Sequence, residues 1–333
     1  MTAVTVGTGG TQGNVCHGSE KGGPGSEVRS WGLFARRSVV GRLRSTPVTD
    51  PFAALLGLPG VADAVAEART AVDGLLGHRV LRRRSAEVTA ESALRGARAS
   101  AELEGAGMEL ERLRGQLMHG QPVTVASNDP RLSALVDGAV RLHADLGSFL
   151  PSWSHSPKQA LARLHVLAAA DLALPSDDLG RPRPPGAVYD DPLELGPAPD
   201  PLEVSARLDG LSRLLLAPTT APAVVVAAVV HGELLALRSF GTADGLVARA
   251  AARLVLVDRG LDPKAVSAPE VGHAELVAAG LRSSHSHAYA EAARGYVAGG
   301  PVGVAGWLVH CAQSVALGAR EGLAVCEALQ RAS

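Results

Sequence analysis

Apolar residues recur at helical spacing along most of the chain from Pro51 onwards. The clearest stretch runs from Ala223 to Gly260, where an unbroken apolar run, Val224 to Val230, is followed by a polar break and a second periodic segment. The first run is shorter than the about 20 apolar residues that a membrane span needs. Gly260, at the end of the second segment, is a natural helix C-cap. The pattern therefore predicts two buried helices joined by a tight loop.

The same periodicity predicts helices on both sides of this pair. Ser85 is expected to cap the helix that carries Glu104, and no strand-like alternation is evident. The sequence therefore predicts an all-α protein. Its other predicted helices are Phe52 to Leu58, Val61 to Leu76, Met108 to Met118, Leu132 to Leu146, Lys158 to Leu172, Pro201 to Leu216, Pro269 to Leu281, Ser284 to Val297 and Val304 to Leu329.

Two segments lack the helical pattern. Residues 1–48 are rich in Gly, Ser and Arg, and such a composition buries too little apolar surface to offset the entropy of ordering. Prolines and aspartates cluster in residues 174–200, which excludes a regular helix there. We expect a disordered tail (1–48), N-terminal helices (49–120) and a helical core (121–330) in which the irregular loop 174–200 covers a cleft.

Composition indicates the cellular compartment and the classes of partner that we expect for this protein. Aromatic residues make up only 3% of the 333 residues, so Ala, Leu and Val must build the core, and the net charge of -1 gives no reason to expect a nucleic-acid partner. Cys311 and Cys326 are expected on one helix, about 22 Å apart, too far for a disulfide. With Cys16 as the third cysteine and no membrane span in the pattern, we expect a reduced, cytoplasmic protein without a membrane partner.

The polar break resembles a known signature. Residues 238–249 read R-S-F-G-T-A-D-G-L-V-A-R, which is similar to the pattern H-P-F-x-[D/E]-G-N-G-R-x-x-R of the Fic family, proteins of the Fido fold. Phe240, Gly245 and Arg249 match the pattern, and the flanking segments HGELLAL and VARAAARLVLVDRGL look like Fic helices. The resemblance covers roughly residues 85 to 328. It implies a Fido-type helical bundle with this loop at the junction of two central helices.

Four of the departures from the family pattern affect residues that carry its chemistry. Arg238 stands where the family has its general-base histidine, and Thr242 stands where it has an acidic metal ligand. Asp244 replaces the asparagine that cradles phosphate, and Leu246 replaces the first phosphate-binding arginine. The motif is therefore degenerate in the residues that carry chemistry.

These replacements oppose nucleotidyl transfer. A general base must be unprotonated near neutral pH, whereas the guanidinium of Arg238 stays protonated. Thr242 is a poor substitute for a magnesium carboxylate, and Asp244 puts negative charge where phosphate would lie. We therefore expect no metal site and no cofactor, with ATP and Mg²⁺ as cofactors only if the protein is active.

A second motif fits the same family. Many Fic proteins carry an inhibitory helix with the pattern [S/T]-x-x-x-E-[G/N], whose glutamate pairs with the second arginine of the signature. Ser100, Glu104 and Gly105 fit this pattern, and the resemblance implies that Glu104 pairs with Arg249. The pair is open to two interpretations, a regulatory restraint or an ion pair that joins two helices, and the missing histidine favours the second.

The resemblance also implies a role for the loop 174–200. In this part of the chain Fic proteins have a β-hairpin flap that pairs with the backbone of the target. Tyr189 is a candidate member of such a flap, although no alternating strand is visible.

The histidines offer few alternatives for catalysis. His231 precedes Arg238 by two helical turns, so it is either a hydrogen-bonded core histidine or a candidate substitute base. His310 is expected to be structural. His285 and His287 have no cysteine or carboxylate at ligand spacing, which speaks against a metal site.

Two functions remain open. The first is a Fic-like protein with a degenerate site that acts as a non-catalytic binding or regulatory module for a protein partner. The second is an active transferase that moves a nucleotidyl (AMP-type) or other phosphorylated group onto a protein hydroxyl. Oligomerisation is compatible with either function.

Overall fold

The computed structural model of the protein describes residues 50–127, 129–276 and 286–332, without the side chains of residues 286 and 287. The predicted tail 1–48, Cys16, His285 and the side chain of His287 lie outside this description. No β-strand occurs in the described ranges, so the all-α prediction is confirmed.

Helices make up most of the described chain. They are numbered in chain order and are α1 (Val61–Leu76), α2 (Ser85–Glu102), α3 (Leu110–Met118), α4 (Pro130–Ala144), α5 (Leu150–Trp153), α6 (Pro157–Ala169), α7 (Pro201–Leu216), α8 (Ala223–Leu237), α9 (Asp244–Asp258), α10 (Pro269–Glu275), α11 (Ser286–Ala298) and α12 (Gly300–Arg331).

Helices α8 and α9, which follow one another in the chain, pack together at the centre of the bundle. In α8, 13 of 15 residues are buried, which explains why its sequence is apolar all round rather than on one face. Helix α9 ends with the amides of Gly260 and Leu261 donating to the carbonyls of Val257 and Leu256, a Schellman motif. The two buried helices predicted from the apolar pattern are therefore present, with a six-residue loop (238–243) between them.

Helix α12 closes the bundle by packing against α1, α8, α10 and α11. By length and composition alone this helix is apolar enough to cross a membrane, but 61% of its most apolar 18-residue window is buried within the protein. It has the character of a core helix. The prediction that Cys311 and Cys326 share one helix is confirmed, since both lie on α12.

A glycine permits the close crossing of α10 and α12. A Cβ atom on Gly272 would lie 2.1 Å from the backbone oxygen of Ser314, well inside van der Waals contact. Any side chain at this position would force the two helices apart. The crossing brings His273, the next residue of α10, towards α12.

Three predicted helix starts were wrong for one shared reason. Prolines that the predicted ranges left outside the helices are the first or second helical residues. Proline is tolerated there because the backbone amides of the first turn have no hydrogen-bond partner within the helix. Helix α4 therefore begins at Pro130 rather than Leu132, α6 at Pro157 rather than Lys158, and α12 at Gly300 rather than Val304.

Three further predictions need correction. Ser85 is the first residue of α2 and does not cap it, since no side-chain cap bond is made there. Glu104 lies in the turn after α2 rather than on the helix, because the chain leaves the helix at Glu102 and turns at Gly105 with φ +83°. The predicted helix from Phe52 is a short 3₁₀ turn, Ala53–Gly57.

The loop 174–200 is irregular, as predicted, and holds one 3₁₀ turn, Ser176–Asp178. It contains no strand, so the flap-like hairpin of the family has no counterpart in its described conformation. Instead the loop is tied to the junction of α8 and α9. The amide of Arg183 donates to the carbonyl of Ser239 (2.8 Å) and the amide of Asp190 to that of Gly241 (2.7 Å).

Candidate functional site

The loop between α8 and α9, residues 238–243, has an unusual backbone. Arg238 (φ 42°), Gly241 (φ 86°) and Ala243 (φ 54°) all have left-handed conformations. For a residue with a Cβ this conformation is strained and persists only where the surroundings hold it. Ala243 stands where the family pattern has glycine, so the loop keeps its shape without the residue that best suits it.

Asp244, the first residue of α9, fills the concave side of this loop with its own carboxyl group. Its two oxygens accept the amides of Phe240 (3.0 Å) and Gly241 (2.7 Å). Backbone amides in a tight loop can form an anion-binding site. Here the two loop amides bind the carboxyl group of the first residue of the following helix.

The protonation of Asp244 is set mainly by its burial. Burial raises the pKa of its carboxyl group to about 7, with a further rise from Glu104, while the two amides and Arg183 lower it. The carboxyl group is therefore close to half ionised at neutral pH. Its oxygens can accept the two amides in either protonation state.

Glu104 and Arg249 meet at the next turn of α9. The carboxylate of Glu104 lies 2.7 Å from the guanidinium of Arg249, and the two side chains are only 7% and 1% exposed. The structure thus brings together the pair that the sequence resemblance implies. Gly245 makes room for it, because a Cβ atom there would lie 1.9 Å from Oε1 of Glu104.

The remaining donors of Arg249 are also engaged. Nε donates to Oγ of Ser100 (2.8 Å), Nη2 to the carbonyl of Ser100 (2.9 Å) and Nη1 to the hydroxyl of Tyr289 (3.2 Å). Each nitrogen of this buried guanidinium therefore has a partner within the protein. Ser100 thus contributes twice to the site, by its hydroxyl and by its carbonyl.

Arg238 is held by the loop 174–200. Its Nη1 donates to the carbonyl of Gly196 (2.6 Å) and lies 3.0 Å from the carboxylate of Asp191. Its guanidinium lies over the ring of Tyr189 (5.1 Å), as does that of Arg183 (5.2 Å). Nε and Nη2 of Arg238 are buried and make no hydrogen bond to the described residues.

The other motif residues face neighbouring elements. The hydroxyl of Thr242 donates to Asp190 (2.7 Å), which Arg131 also contacts. The ring of Phe240 stacks on His165 with 4.2 Å between centroids, and Leu246 is fully buried. Thr242 is therefore engaged with a loop carboxylate.

His231 lies away from this loop. It is 1% exposed, its Nε2 is 2.8 Å from the hydroxyl of Tyr289, and burial lowers its pKa well below the ordinary value. This environment matches the core-histidine interpretation better than that of a base facing a substrate. His310 is also buried and contacts His273 (3.0 Å).

Two recesses of different size flank the loop. Beneath it lies a cavity of about 20 Å³, enough for a water molecule but too small for a phosphate group. Its lining includes Glu104, Arg238 and Asp244 together with residues 190–193 and 195. On its outer side lies a groove of about 480 Å³ whose lining includes Arg131, Tyr189 and Phe240. The loop 174–200 forms a wall of both.

Of the residues through which the loop 174–200 closes the site, Tyr189 was a sequence candidate, whereas Arg183 and Asp191 were not predicted. Arg183, Tyr189 and Asp191 each contact the motif loop or Arg238. The only available signal was the cluster of prolines and aspartates, which predicts an irregular segment but not its path. Tyr189, the residue proposed for a flap, instead supports two guanidinium groups.

Ionisation of Asp244 should make stability depend on pH. Because its folded pKa of about 7 exceeds the ordinary value of 3.8, its contribution is fully present below about pH 4 and is lost as the pH rises through about 7. We expect a decrease of a few kcal/mol in the free energy of unfolding from this group, measured by urea unfolding between pH 4 and 8. Asp244→Asn should flatten this dependence. A variant with the wild-type slope would contradict the assignment.

Comparison with known proteins identifies solved structures with a similar fold. No family model matches the sequence, and no curated protein matches it. Among solved structures, a Fic family protein from Desulfovibrio desulfuricans is similar with a TM-score of 0.60 and 19% identity, over 80% of this chain and 75% of that one. Fic-1 from C. elegans is similar with a TM-score of 0.57 and 14% identity, over 82% of this chain and 74% of that one.

A variant of the C. elegans protein gives a TM-score of 0.52 at 16% identity, over 82% of this chain and 73% of that one. At these identities the likeness concerns the fold. The helical bundle around α8 and α9, with the motif loop between them, is the Fic (Fido) fold, and this chain adopts it.

Proposed function

We propose that this protein is a Fic-fold protein without nucleotidyl transferase activity, and that it acts as a binding or regulatory module. The observation that carries the proposal is the placement of Asp244, whose carboxyl group accepts the amides of Phe240 and Gly241. By resemblance to the family, these amides belong to the loop that cradles phosphate. A carboxyl group in that position occupies these two donors, and its ionised form repels phosphate.

The residue in the position of the family base supports the same proposal. Arg238 cannot remove a proton from a hydroxyl group, because its guanidinium remains protonated in proteins. It is also 3% exposed and held by Gly196 and Asp191. A target hydroxyl would have to displace the loop 174–200 to reach it.

The residues do not fit ATP with Mg²⁺. Magnesium prefers carboxylate oxygens and waters in octahedral geometry, whereas the family's metal position holds Thr242, already bonded to Asp190. Arg249, the one signature arginine that is kept, has all its nitrogens engaged by Ser100, Glu104 and Tyr289. No step of a transfer reaction is therefore assigned to the site.

The outer groove is the surface proposed for the binding role. Its volume of about 480 Å³ is lined by apolar side chains such as Leu172, Val188 and Phe240 and by charged side chains of both signs, among them Arg181 and Asp178. Aromatic residues and arginine are enriched in surfaces that bind other proteins, and this lining contains Tyr189, Phe240 and Arg181. We propose a protein segment as the occupant.

Labelled nucleotide tests the proposal. The full chain, incubated with labelled ATP and Mg²⁺, should show no covalent label on itself or on added protein. Glu104→Gly should also stay inactive, although by family resemblance this change releases a restraint, because the base and the phosphate arginine are still missing. Glu102→Gly, which changes an exposed carboxylate of α2, is the matched control.

Transfer by the wild-type protein, or its appearance in Glu104→Gly but not in Glu102→Gly, would contradict the proposal. Label that is lost in Asp244→Ala or His231→Ala would assign the chemistry to those residues. Mass spectrometry of the labelled peptide distinguishes covalent transfer from bound nucleotide.

A further inference from the structure

Three buried side chains with lone pairs converge in the core, apart from the motif loop. They are His231 on α8, His273 on α10 and Cys311 on α12, and one potential ligand atom from each lies within 4.8 Å of the other two. Among the described residues this is the one group of three or more His, Cys, Asp or Glu side chains with such a geometry. The three residues are far apart in sequence, so no spacing motif predicts them, and the expectation of no metal site did not consider them.

The convergence lies at a small cavity. Its volume is about 20 Å³, and its lining includes all three side chains together with Ser314, Arg249 and Glu270. A cavity of this size accepts one water-sized particle. An ion or a water molecule would therefore have direct access to the three ligand groups.

Burial disfavours the charged form of all three groups. It lowers the pKa of His231 and of His273 well below the ordinary value, and the charge of Arg249 lowers both further. Neutral imidazole is the form that ligates metals. Burial raises the pKa of the Cys311 thiol, so a metal has to displace its proton.

Neighbouring charges are balanced rather than one-sided. The guanidinium of Arg249 is paired with Glu104 (2.7 Å), and the carboxylate of Glu270 is 3.3 Å from Arg253. Each of these two guanidinium groups beside the cavity therefore has a carboxylate partner. A divalent cation with one thiolate would add a single positive charge to this balance.

Hydrogen bonds outside the convergence orient both imidazoles. Nδ1 of His273 is 3.0 Å from Nε2 of His310, and Nε2 of His231 is 2.8 Å from the hydroxyl of Tyr289. In metal sites such outer bonds fix the tautomer and the ring orientation of ligating histidines. The rings of Tyr289 and Trp307 pack around both histidines and keep them in place.

We propose that His231, His273 and Cys311 bind one Zn²⁺ ion. Imidazole and thiolate are the ligands that zinc favours, and a tetrahedral site with three protein ligands has a fourth position, for a water molecule or Ser314. Binding forms the zinc–sulfur bond as the thiol releases its proton to solvent. Tetrahedral zinc holds such ligands roughly 3.5 Å apart, so the ion draws α8, α10 and α12 together and stabilises the bundle independently of any nucleotide chemistry.

Metal content and cobalt substitution test the proposal. The full chain, produced in zinc-supplemented medium without a histidine tag, should contain one zinc per chain after dialysis. The Co²⁺ form should show sulfur-to-cobalt charge-transfer absorption together with the visible bands of a tetrahedral site. Cys311→Ser and His273→Gln should each lower zinc affinity at least about 100-fold, because even changes to outer partners lower it by 10–100-fold.

Cys326→Ser is the matched control, since this second buried cysteine lies on the same helix but outside the group of three. It should keep the zinc and the cobalt spectrum. Wild-type protein that retains no zinc, a cobalt spectrum without the thiolate band, or equal affinities in Cys311→Ser and Cys326→Ser would each overturn the proposal. The zinc content and the cobalt spectrum of the wild-type protein test the proposal even if a variant fails to fold.

Discussion

Arg249→Ala is expected to lower the free energy of unfolding by about 3–5 kcal/mol, because it leaves the carboxylate of Glu104 buried without its partner. The pair is 2.7 Å apart and almost entirely shielded from solvent. Glu104→Ala should also be destabilising, since Arg249 keeps Ser100 and Tyr289 but loses its counter-charge. The double variant should lose less than the sum of the two single losses. Urea unfolding of the four proteins measures this coupling.

The exposed pair Arg98 and Glu102 on α2 is the matched control. Its atoms are 3.0 Å apart, but the side chains are 27% and 41% exposed, and such a pair contributes roughly 0–1 kcal/mol. Strictly additive losses for Glu104 and Arg249 would mean that the two residues do not interact. The contact between Glu104 and Arg249, for which Gly245 leaves room, would then contribute nothing to the free energy of unfolding.

Arg253→Met is expected to produce the second large loss, also about 3–5 kcal/mol near neutral pH. Arg253 is buried, donates to Ser92 (2.8 Å) and to the carbonyl of Ser267 (2.7 Å), and lies 3.3 Å from Glu270. Its replacement leaves the carboxylate of Glu270, 1% exposed, without its guanidinium partner and with the imidazole of His143 at 3.3 Å. Methionine fills much of the same volume, so the loss measures mainly the interrupted network.

The pH dependence distinguishes this loss from simple repacking. Burial opposes ionisation of Glu270, but Arg253 and then His143 lower its pKa to about 2, below the ordinary value of 4.5. The stability that this ionisation contributes is present above about pH 4.5 and is lost as the pH falls through about 2. Arg253→Met should reduce this acid-side dependence. Arg69→Met, at an exposed position of α1, should change stability by no more than about 0.5 kcal/mol.

The helices were predictable because burial imposes a period on the sequence. The unbroken apolar run of α8 predicted a helix buried on all sides, and Gly260 marked the end of α9 through a backbone conformation that glycine adopts readily. Helix starts at prolines were missed, since the sequence alone does not tell whether Pro130 precedes a helix or opens it. Glu104 was predicted to lie on the helix but lies in the turn after its end.

Only those residues of the candidate site that belong to a local sequence motif could be predicted. The alignment of the loop with the Fic signature identified the position of Asp244, but not the two amides that its carboxyl group accepts. Arg183 and Tyr189 reach the loop through a path that no periodic pattern encodes. The convergence of His231, His273 and Cys311 depends on the packing of three helices, for which the sequence of each helix carries no sign.

In the proposed function, the loop before α9 does not hold a nucleotide phosphate because Asp244 already occupies two of its amides. Calorimetric titration of the wild-type protein and of Glu104→Gly with ATP and Mg²⁺ measures this directly. We predict no saturable binding by either protein, that is, a dissociation constant weaker than about 1 mM. Saturable one-to-one binding of ATP by the wild-type protein, or by Glu104→Gly with Asp244 intact, would contradict the central claim.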